Sequence, residues 1–371
     1  MTTATATIQM SPKTIARSCQ REFEALVCGV LRRTVGRSAK KKVMIKSGLV
    51  AKEVYLPSCN YTMYYHEREA VIEDSDNKSP QDVRDQPTLL FFHGLTGRSE
   101  QLASFIASLD IPPHIRILCP EQMGHGRDVD NRLRADPENY TLPTYHLIRV
   151  TISEFFDVVK CSSNTNAFGI SLGGSAAYYA RFHRPDIVKR SVLVSPAILC
   201  CIDKDLVKGV KEGTNNFFFP ESRQDAKLLM RDLSTGRDDD TRKKKDPVPK
   251  FFLETVYRES KKMSPEGHFR KLLVNLLDTT EHPYAAVNVK DIDKESDRLV
   301  IWPEKDRIIN FEQGKLFFGV SSGEDEGFVS TSPNTEFVSI PDCGHGFNSE
   351  GRGINGIIRP IVRDYLLDFS G

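Results

Sequence analysis

A serine between two glycines is the first group in this sequence whose surroundings suggest chemistry. The pentapeptide Gly169-Ile170-Ser171-Leu172-Gly173 follows a short apolar run and precedes a helical pattern, so it lies at a strand-to-helix turn. Such a turn holds its serine in a strained conformation, and flanking glycines leave room because they lack a Cβ atom. A five-residue pattern of this kind also arises by chance, so the strand and helix around it carry the inference. We predict that Ser171 is a nucleophile.

A nucleophilic serine needs a general base and a carboxylate that orients the base. His345 follows a predicted strand, within the segment Cys343 to Phe347, and is the best placed of the nine histidines. Asp306 follows another predicted strand and is our choice for the acid, ahead of Glu304 and Asp342, which also lie near strand ends. Serine, acid and histidine then occur in the chain order expected of such a triad.

Two backbone N–H groups are needed to bind the negative oxygen that forms when a serine attacks a carbonyl. We expect one from Leu172, directly after the serine, and the other from Leu95, in the loop after an apolar run. His93 and His125 lie in loops beside the same expected site. We interpret both as structural histidines.

Six short apolar segments predict the strands that position these residues. They are TLLFFHG (88–94), RILCP (116–120), NAFGI (166–170), SVLVSPA (191–197), RLVIW (298–302) and TEFVSIPD (335–342). Helical stretches alternate with them, for example Tyr145 to Val159 and Ser175 to His183. The alternation predicts an α/β fold, in which a mostly parallel sheet is flanked by helices and built from right-handed β-α-β units.

The alternation stops between residues 198 and 283, a stretch too long for a plain loop. Apolar residues recur there at helical spacing in two places. The positions are Phe269, Leu272, Leu273, Leu276 and Leu277 in one, and Phe252, Leu253, Val256 and Tyr257, between Pro249 and Lys261, in the other. We therefore predict a helical cap at 198–283, inserted into a core formed by 51–197 and 284–371. The polar segments Arg231 to Asp246 and Ser321 to Asn334 are predicted to be loops.

Residues 1–50 form a distinct basic segment, with ten Lys and Arg against two Glu, whereas the whole chain has a net charge of +1. The rest of the chain is acidic, so nucleic acid is not an expected partner. Apolar residues at 23, 26, 27, 30 and 31 have the spacing of an amphipathic helix, which would allow peripheral membrane contact. Residues 1–21 lack Asp and Glu and are rich in Ser and Thr, so an organelle transit peptide is also open, as is a helix packed on the body.

Composition and cysteines indicate a globular intracellular protein. Hydrophobic residues make up 39% and charged residues 27%, and no apolar run approaches the ~18 to 20 residues of a membrane-spanning helix. The eight cysteines lack metal-ligand spacing and no secretory signal peptide precedes them, so we expect reduced thiols. Adjacent Cys200 and Cys201 are interpreted as packing residues rather than a redox pair, because nothing nearby looks like the start of a C-x-x-C helix.

Five motifs together resemble, in order, those of the α/β-hydrolase fold. They are HGLTG (93–97), PEQMGHG (120–126), GISLGG (169–174), WPEKDRII (302–309) and CGHG (343–346). Within that superfamily the chain looks most like monoacylglycerol lipases with a short N-terminal membrane anchor, on the basis of LRRTVGR (31–37) and the segment Phe217 to Lys261.

This resemblance implies an esterase or lipase acting on a lipid or small ester, such as a monoacylglycerol. It gives Ser171, Asp306 and His345 the roles of the triad. The oxyanion donors would be Leu95 and Leu172, and no metal or organic cofactor would be needed.

The fold alone allows other functions. An aminopeptidase or an acyltransferase could use the same triad. A ligand receptor or scaffold that keeps the fold without turnover is an alternative from a different class, although candidates for all three triad positions count against it. Epoxide hydrolases and dehalogenases use a carboxylate nucleophile, so a serine at position 171 disfavours them.

Overall fold

The central element of the computed structural model is an eight-stranded sheet. The structure describes residues 37–71, 86–214, 219–220, 222–233, 253–254, 257–258, 260–261, 264, 267–277, 297–322, 328–330, 334–341, 344–345 and 354–369. Within these ranges the strands of the sheet are β1 (Val50–Leu56), β2 (Tyr61–Arg68), β3 (Thr88–Phe92), β4 (Arg116–Pro120), β5 (Thr165–Ile170), β6 (Val188–Val194), β7 (Asp297–Pro303) and β10 (Thr335–Ile340). Their spatial order is β1-β2-β4-β3-β5-β6-β7-β10.

All six predicted strands are present, and the pairs among them are parallel. The α/β prediction is confirmed. Strands β1 and β2 were not predicted from the sequence; they pair antiparallel with each other, and β2 also pairs antiparallel with β4. Strand β1 lies at the sheet edge and is exposed along most of its length, so its sequence VAKEVYL lacks the apolar run that marks the buried strands.

Helices cover both faces of the sheet. Those of six residues or more are, in chain order, α1 (Arg37–Ser47), α2 (Ala103–Ser108), α3 (Tyr145–Val158), α4 (Leu172–His183), α5 (Lys204–Glu212), α6 (Arg223–Leu233), α7 (His268–Leu276), α8 (Phe311–Phe317) and α9 (Ile354–Leu367). Alternate residues of β3 point to opposite faces: Leu90 and Phe92 join the cluster under α3 and α4, while Leu89 and Phe91 join the cluster under α2 and α9. A strand buried on both faces therefore reads as a continuous apolar run.

The described elements between β6 and β7 are helical. Helices α5, α6 and α7 lie in this stretch, and the predicted apolar face of α7 is buried at Phe269, Leu272 and Leu276. Most of the second predicted helix, between Pro249 and Lys261, lies outside the described residues. The division of the chain into a core and a cap at 198–283 stays a prediction.

The prediction of a loop from Ser321 to Asn334 is wrong in part. Two short strands, β8 (Val320–Ser322) and β9 (Phe328–Ser330), pair antiparallel in that segment. Their Val and Phe residues favour extended backbone, but the surrounding polar residues hide so short a signal. The other predicted loop, Arg231 to Asp246, begins with the last turn of α6, and its remainder lies outside the described residues.

Helix α1 lies at the end of the basic segment. Its Val43 and Met44 pack against the cluster that includes Ile117 and Val362. The amphipathic pattern at 23–31 lies outside the described residues, so membrane contact and organelle targeting stay predictions from the sequence. Within the described ranges, no helix is both long enough and apolar enough to cross a membrane.

Candidate active site

Ser171 lies at the turn where β5 passes directly into α4. Its backbone has φ 54° and ψ −121°, a strained conformation for a residue with a side chain. The turn is held by backbone hydrogen bonds, because Ser171 N–H donates to Val194 O and Ala197 N–H donates to Ser171 O, each at 2.9 Å. The helix starts at Leu172 rather than at the predicted Ser175, because this turn feeds directly into it.

The two glycines of the pentapeptide are required by close backbone contacts. A Cβ atom on Gly169 would lie 1.9 Å from Gly173 O, and one on Gly173 would lie 2.2 Å from Phe92 O. No side-chain rotation relieves either clash, because the opposing atoms belong to the backbone. The lack of room for a Cβ atom at positions 169 and 173 is therefore the reason for the G-x-S-x-G pattern.

We expect Gly169→Ala to lower the free energy of unfolding by about 3 kcal/mol, because the helix start must move away from β5. Urea denaturation followed by far-UV circular dichroism measures this loss. Gly267→Ala is the matched control, since Gly267 also precedes a helix and has φ 69°, but nothing lies within 4 Å of its added Cβ. Only the cost of a left-handed backbone, about 1 kcal/mol, applies there. Equal losses in the two variants would contradict the steric argument.

The structure brings Ser171, His345 and Asp306 into one hydrogen-bonded chain. Ser171 Oγ lies 3.0 Å from His345 Nε2, and His345 Nδ1 lies 2.7 Å from Asp306 Oδ2. The carboxylate can only accept from Nδ1–H, so Nε2 is left to accept the serine proton. His345 and Asp306 are 9% and 6% exposed, so water competes little for these bonds. This arrangement is able to draw a proton from the serine hydroxyl.

The second oxygen of Asp306 fixes the carboxylate in place. Asp306 Oδ1 accepts hydrogen bonds from the backbone N–H groups of Ile308 and Ile309, both at 2.9 Å. The rival Glu304 is exposed and bonds elsewhere, to the Ser339 hydroxyl at 2.9 Å. The other rival, Asp342, lies outside the described residues. Of the two candidates that the structure describes, Asp306 and Glu304, it is Asp306 that contacts His345.

The two expected oxyanion donors border the same cavity as Ser171. Leu172 is the first residue of α4, a position whose N–H has no partner within the helix. Leu95 lies in the loop after β3. The positions suit the predicted role of both N–H groups, which stays a prediction.

A buried histidine and a glutamine hold the loop that carries Leu95. His93 donates from Nδ1 to Gly94 O at 2.9 Å, and its Nε2 accepts from Gln122 N–H at 3.1 Å. The Gln122 side chain donates to His93 O at 2.6 Å. Burial lowers the pKa of His93 to about 4, so the ring is neutral at neutral pH and can keep both roles. The role of Gln122 was not predicted from the sequence. Gln122 follows β4 and His93 follows β3, so the two meet only because these strands are neighbours in the sheet.

Two further buried histidines join helix α7 to the loop that follows β4. His268 Nε2 donates to Gly124 O at 2.8 Å. The ring of His125 packs against Phe269 of α7, with ring centroids 5.4 Å apart. Burial lowers the pKa of both histidines. Neither of these contacts involves the triad, and both position α7, which lines the cavity beside Ser171.

A cavity that is partly open to solvent adjoins Ser171, with about 520 Å³ of empty space including its open mouth. Its apolar walls come from the loops around the triad and from helices α5 and α7. The aliphatic lining residues are Leu95, Leu172, Ala197, Ile202, Leu206, Val207, Val210, Leu273, Leu276, Leu277, Ile308 and Ile309. Tyr145 completes the wall, and none of the described lining residues is charged. In the described part of the chain, no three His, Cys, Asp or Glu side chains are grouped as metal ligands would be.

Solved structures with similar folds include several enzymes. A putative lipase from Acinetobacter baumannii AYE is 17% identical with a TM-score of 0.57, over 89% of this chain and 96% of that one. A membrane phospholipase A described as a bacterial virulence factor is 15% identical with a TM-score of 0.59, over 92% and 96%. The carboxylesterase CesB from Bacillus subtilis is 15% identical with a TM-score of 0.54, over 95% and 99%. At these identities the likeness concerns the fold.

Sequence comparison identifies the family. No protein of curated function matches the chain significantly. The sequence model of the alpha/beta hydrolase family matches residues 89–353, well over half of the chain, and this range includes every predicted site residue. The chain therefore belongs to the alpha/beta hydrolase family.

Proposed function

We propose that this protein is a serine hydrolase that cleaves carboxylic esters through an acyl-enzyme. The observation that carries the proposal is the contact of Ser171 Oγ with His345 Nε2 at 3.0 Å, at the wall of an apolar cavity. A serine activated in this way attacks acyl carbonyls.

In the proposed reaction, Ser171 Oγ attacks the ester carbonyl carbon while His345 Nε2 takes the hydroxyl proton. Asp306 stabilises the imidazolium, and the N–H groups of Leu172 and Leu95 bind the negative oxygen. His345 then gives its proton to the leaving alkoxide, and the alcohol departs. Water, deprotonated by His345, attacks the acyl-enzyme, and the carboxylic acid is released as Ser171 recovers its proton.

The apolar lining supports an acyl chain as the bound part of the substrate, and a monoacylglycerol-like lipid as its class. Each methylene removed from water contributes about 0.8 kcal/mol, so such a cavity favours long acyl groups. An aminopeptidase must bind an ammonium group, and burying that charge needs a carboxylate partner. The described lining residues provide none. An acyltransferase remains the alternative, since it would share the acyl-enzyme and differ only in the acceptor.

A substrate panel tests the proposal. Monoacylglycerols and p-nitrophenyl esters from acetyl to palmitoyl should be hydrolysed, with kcat/KM rising with chain length, whereas amino-acid p-nitroanilides should not.

We expect Val207→Trp to lower kcat/KM for the dodecanoyl ester at least about tenfold more than for the acetyl ester. Val207 lies on α5 and lines the cavity, so the larger ring excludes the space of two or more methylenes.

Lys208→Trp is the matched control for this variant. Lys208 is the next residue of α5 and is exposed, so the same substitution leaves the cavity unchanged. The acyl-chain assignment would be wrong if Val207→Trp lowered kcat/KM equally for all chain lengths. Faster release from p-nitroanilides than from esters would contradict the ester hydrolase proposal itself.

A further inference from the structure

Two adjacent thiols lie where the chain leaves β6. Cys200 and Cys201 end a short 3₁₀ turn, Leu199–Cys201, and their Sγ atoms are 3.9 Å apart, within hydrogen-bond distance for sulfur. The Cys200 side chain is exposed and the Cys201 side chain is fully buried. The pair therefore presents one thiol to solvent and holds a second directly behind it.

The hydrogen bond makes the exposed thiol the more reactive of the two. The hydrogen bond between the two sulfurs lowers the pKa of Cys200 and raises that of Cys201. The other three described cysteines, at positions 59, 119 and 161, have their pKa raised by burial. Because the thiolate is the nucleophile, Cys200 is the described cysteine best suited to react first.

The spacing of the pair selects the group that can join the two sulfurs. Adjacent Cα atoms are ~3.8 Å apart across a trans peptide, below the ~4.4 to 6.8 Å usual for a disulfide. A direct S–S bond here would be strained. A bridge through one further atom makes a larger ring, so the geometry favours a soft trivalent centre that bonds to both sulfurs.

The buried thiol is tied to the segment that holds the catalytic acid. Cys201 O accepts from Asn310 N–H at 2.7 Å, and Asp203 N–H donates to Ile308 O at 3.2 Å. Between these bonds, Ile202 and Ile309 form an antiparallel bridge. The N–H groups of Ile308 and Ile309 in turn orient Asp306. Residues 201–203 thus support the 306–310 segment from behind.

Because the Cys201 side chain is fully buried, a centre that carries an organic group can reach its sulfur only if the turn opens. The turn that holds it is a single 3₁₀ turn of three residues, whose hydrogen-bond geometry is poorer than that of an α-helix, so we expect the chain to open at this turn. Opening breaks the bond from Asn310 to Cys201 O and releases the 306–310 segment. A bridge across the sulfurs would prevent the turn from closing again.

We propose that Cys200 and Cys201 form a dithiol site for a soft trivalent centre such as an organic arsenical, and that the bridge slows hydrolysis by releasing the acid-bearing segment. With phenylarsine oxide, each sulfur forms one bond to arsenic and the As–O bond breaks. The two thiol protons leave with that oxygen as one water, and no redox change occurs. The effect on hydrolysis rests on the proposed function, whereas the binding of arsenic does not.

The full-length protein treated with one equivalent of phenylarsine oxide tests both parts. Intact mass spectrometry should show one phenylarsenic adduct with two thiols lost, and peptide mapping should place it on Cys200 and Cys201. Ester hydrolysis should fall at least tenfold and recover with 2,3-dimercaptopropanol but not with an equal concentration of a monothiol. Cys200→Ser should keep the untreated rate and lose both the adduct and the inhibition, while the control Cys59→Ser should behave as wild type.

The adduct decides whether the dithiol site exists, and the hydrolysis rate decides whether that site is linked to Asp306. No adduct, or a bridge on another pair of cysteines, would overturn the dithiol site, and Cys201→Ser provides a second variant for this decision. An adduct on Cys200 and Cys201 with unchanged turnover would overturn the link to Asp306. If no form of the protein hydrolyses esters, the proposed function fails, and the mass measurement still decides whether the dithiol site exists.

Discussion

Replacing Ser171 by alanine is expected to lower kcat for ester hydrolysis by about 10⁴-fold or more and to abolish labelling by a fluorophosphonate probe. Without Oγ no acyl-enzyme forms, and the remaining groups can only bind the ester and polarise its carbonyl. Steady-state hydrolysis of a p-nitrophenyl ester measures the loss in rate. In-gel fluorescence of the labelled protein reports the serine directly.

Ser175→Ala is the matched control for this variant. Ser175 lies one turn further along α4, so its replacement removes a hydroxyl from the same helix and leaves the contact between Ser171 and His345. It should keep the label and the rate within about threefold. Wild-type protein that fails to label would contradict the serine hydrolase proposal, and residual activity above about a tenth in Ser171→Ala would place the nucleophile elsewhere.

The parts of the site that the sequence revealed are those defined by local patterns. Ser171 could be identified because a buried strand, two glycines and a helix follow one another within a few residues. His345 could be identified because it follows the last strand of the sheet, and parallel strands bring their carboxyl ends to one edge. In both cases the information lies in neighbouring residues along the chain.

The parts that the sequence hid depend on contacts between distant segments. Strand β1 is exposed along most of its length and carries charged residues, so only its pairing with β2 identifies it. Gln122 holds the loop of Leu95 through His93, 29 residues away. Cys201 is buried in the core, in line with a packing residue, and it also lies within hydrogen-bond distance of Cys200 and bonds through its backbone to the 306–310 segment, a connection that no local motif indicates.

The choice of the proposed acid shows the same limit most clearly. Asp306, Glu304 and Asp342 all lie near predicted strand ends, and the sequence favoured Asp306 by its position without revealing its partners. What distinguishes Asp306 is that one oxygen accepts from His345 while the other accepts two backbone N–H groups. Such a set of partners orients a carboxylate, and it becomes visible only when the chain is folded.

Asp306→Asn is expected to lower kcat by about 10³- to 10⁴-fold while the protein remains folded. The asparagine oxygen can still accept from Ile308 and Ile309, and its NH₂ group then faces His345 Nδ1. Two donors cannot bond to each other, so His345 must place its proton on Nε2. The imidazole then has no lone pair toward Ser171, and the imidazolium loses the negative charge that stabilises it.

Glu304→Gln and Asp342→Asn separate this role from a general effect of charge. Each removes one negative charge near the end of a strand, as Asp306→Asn does, and Glu304 bonds to Ser339 rather than to His345. Both should keep kcat within about threefold, measured on a short-chain ester with folding checked by circular dichroism. If Asp306→Asn kept near-normal kcat while either control collapsed, the acid would be the residue changed in that control. The hydrogen bond from His345 to Asp306 would then have no part in turnover.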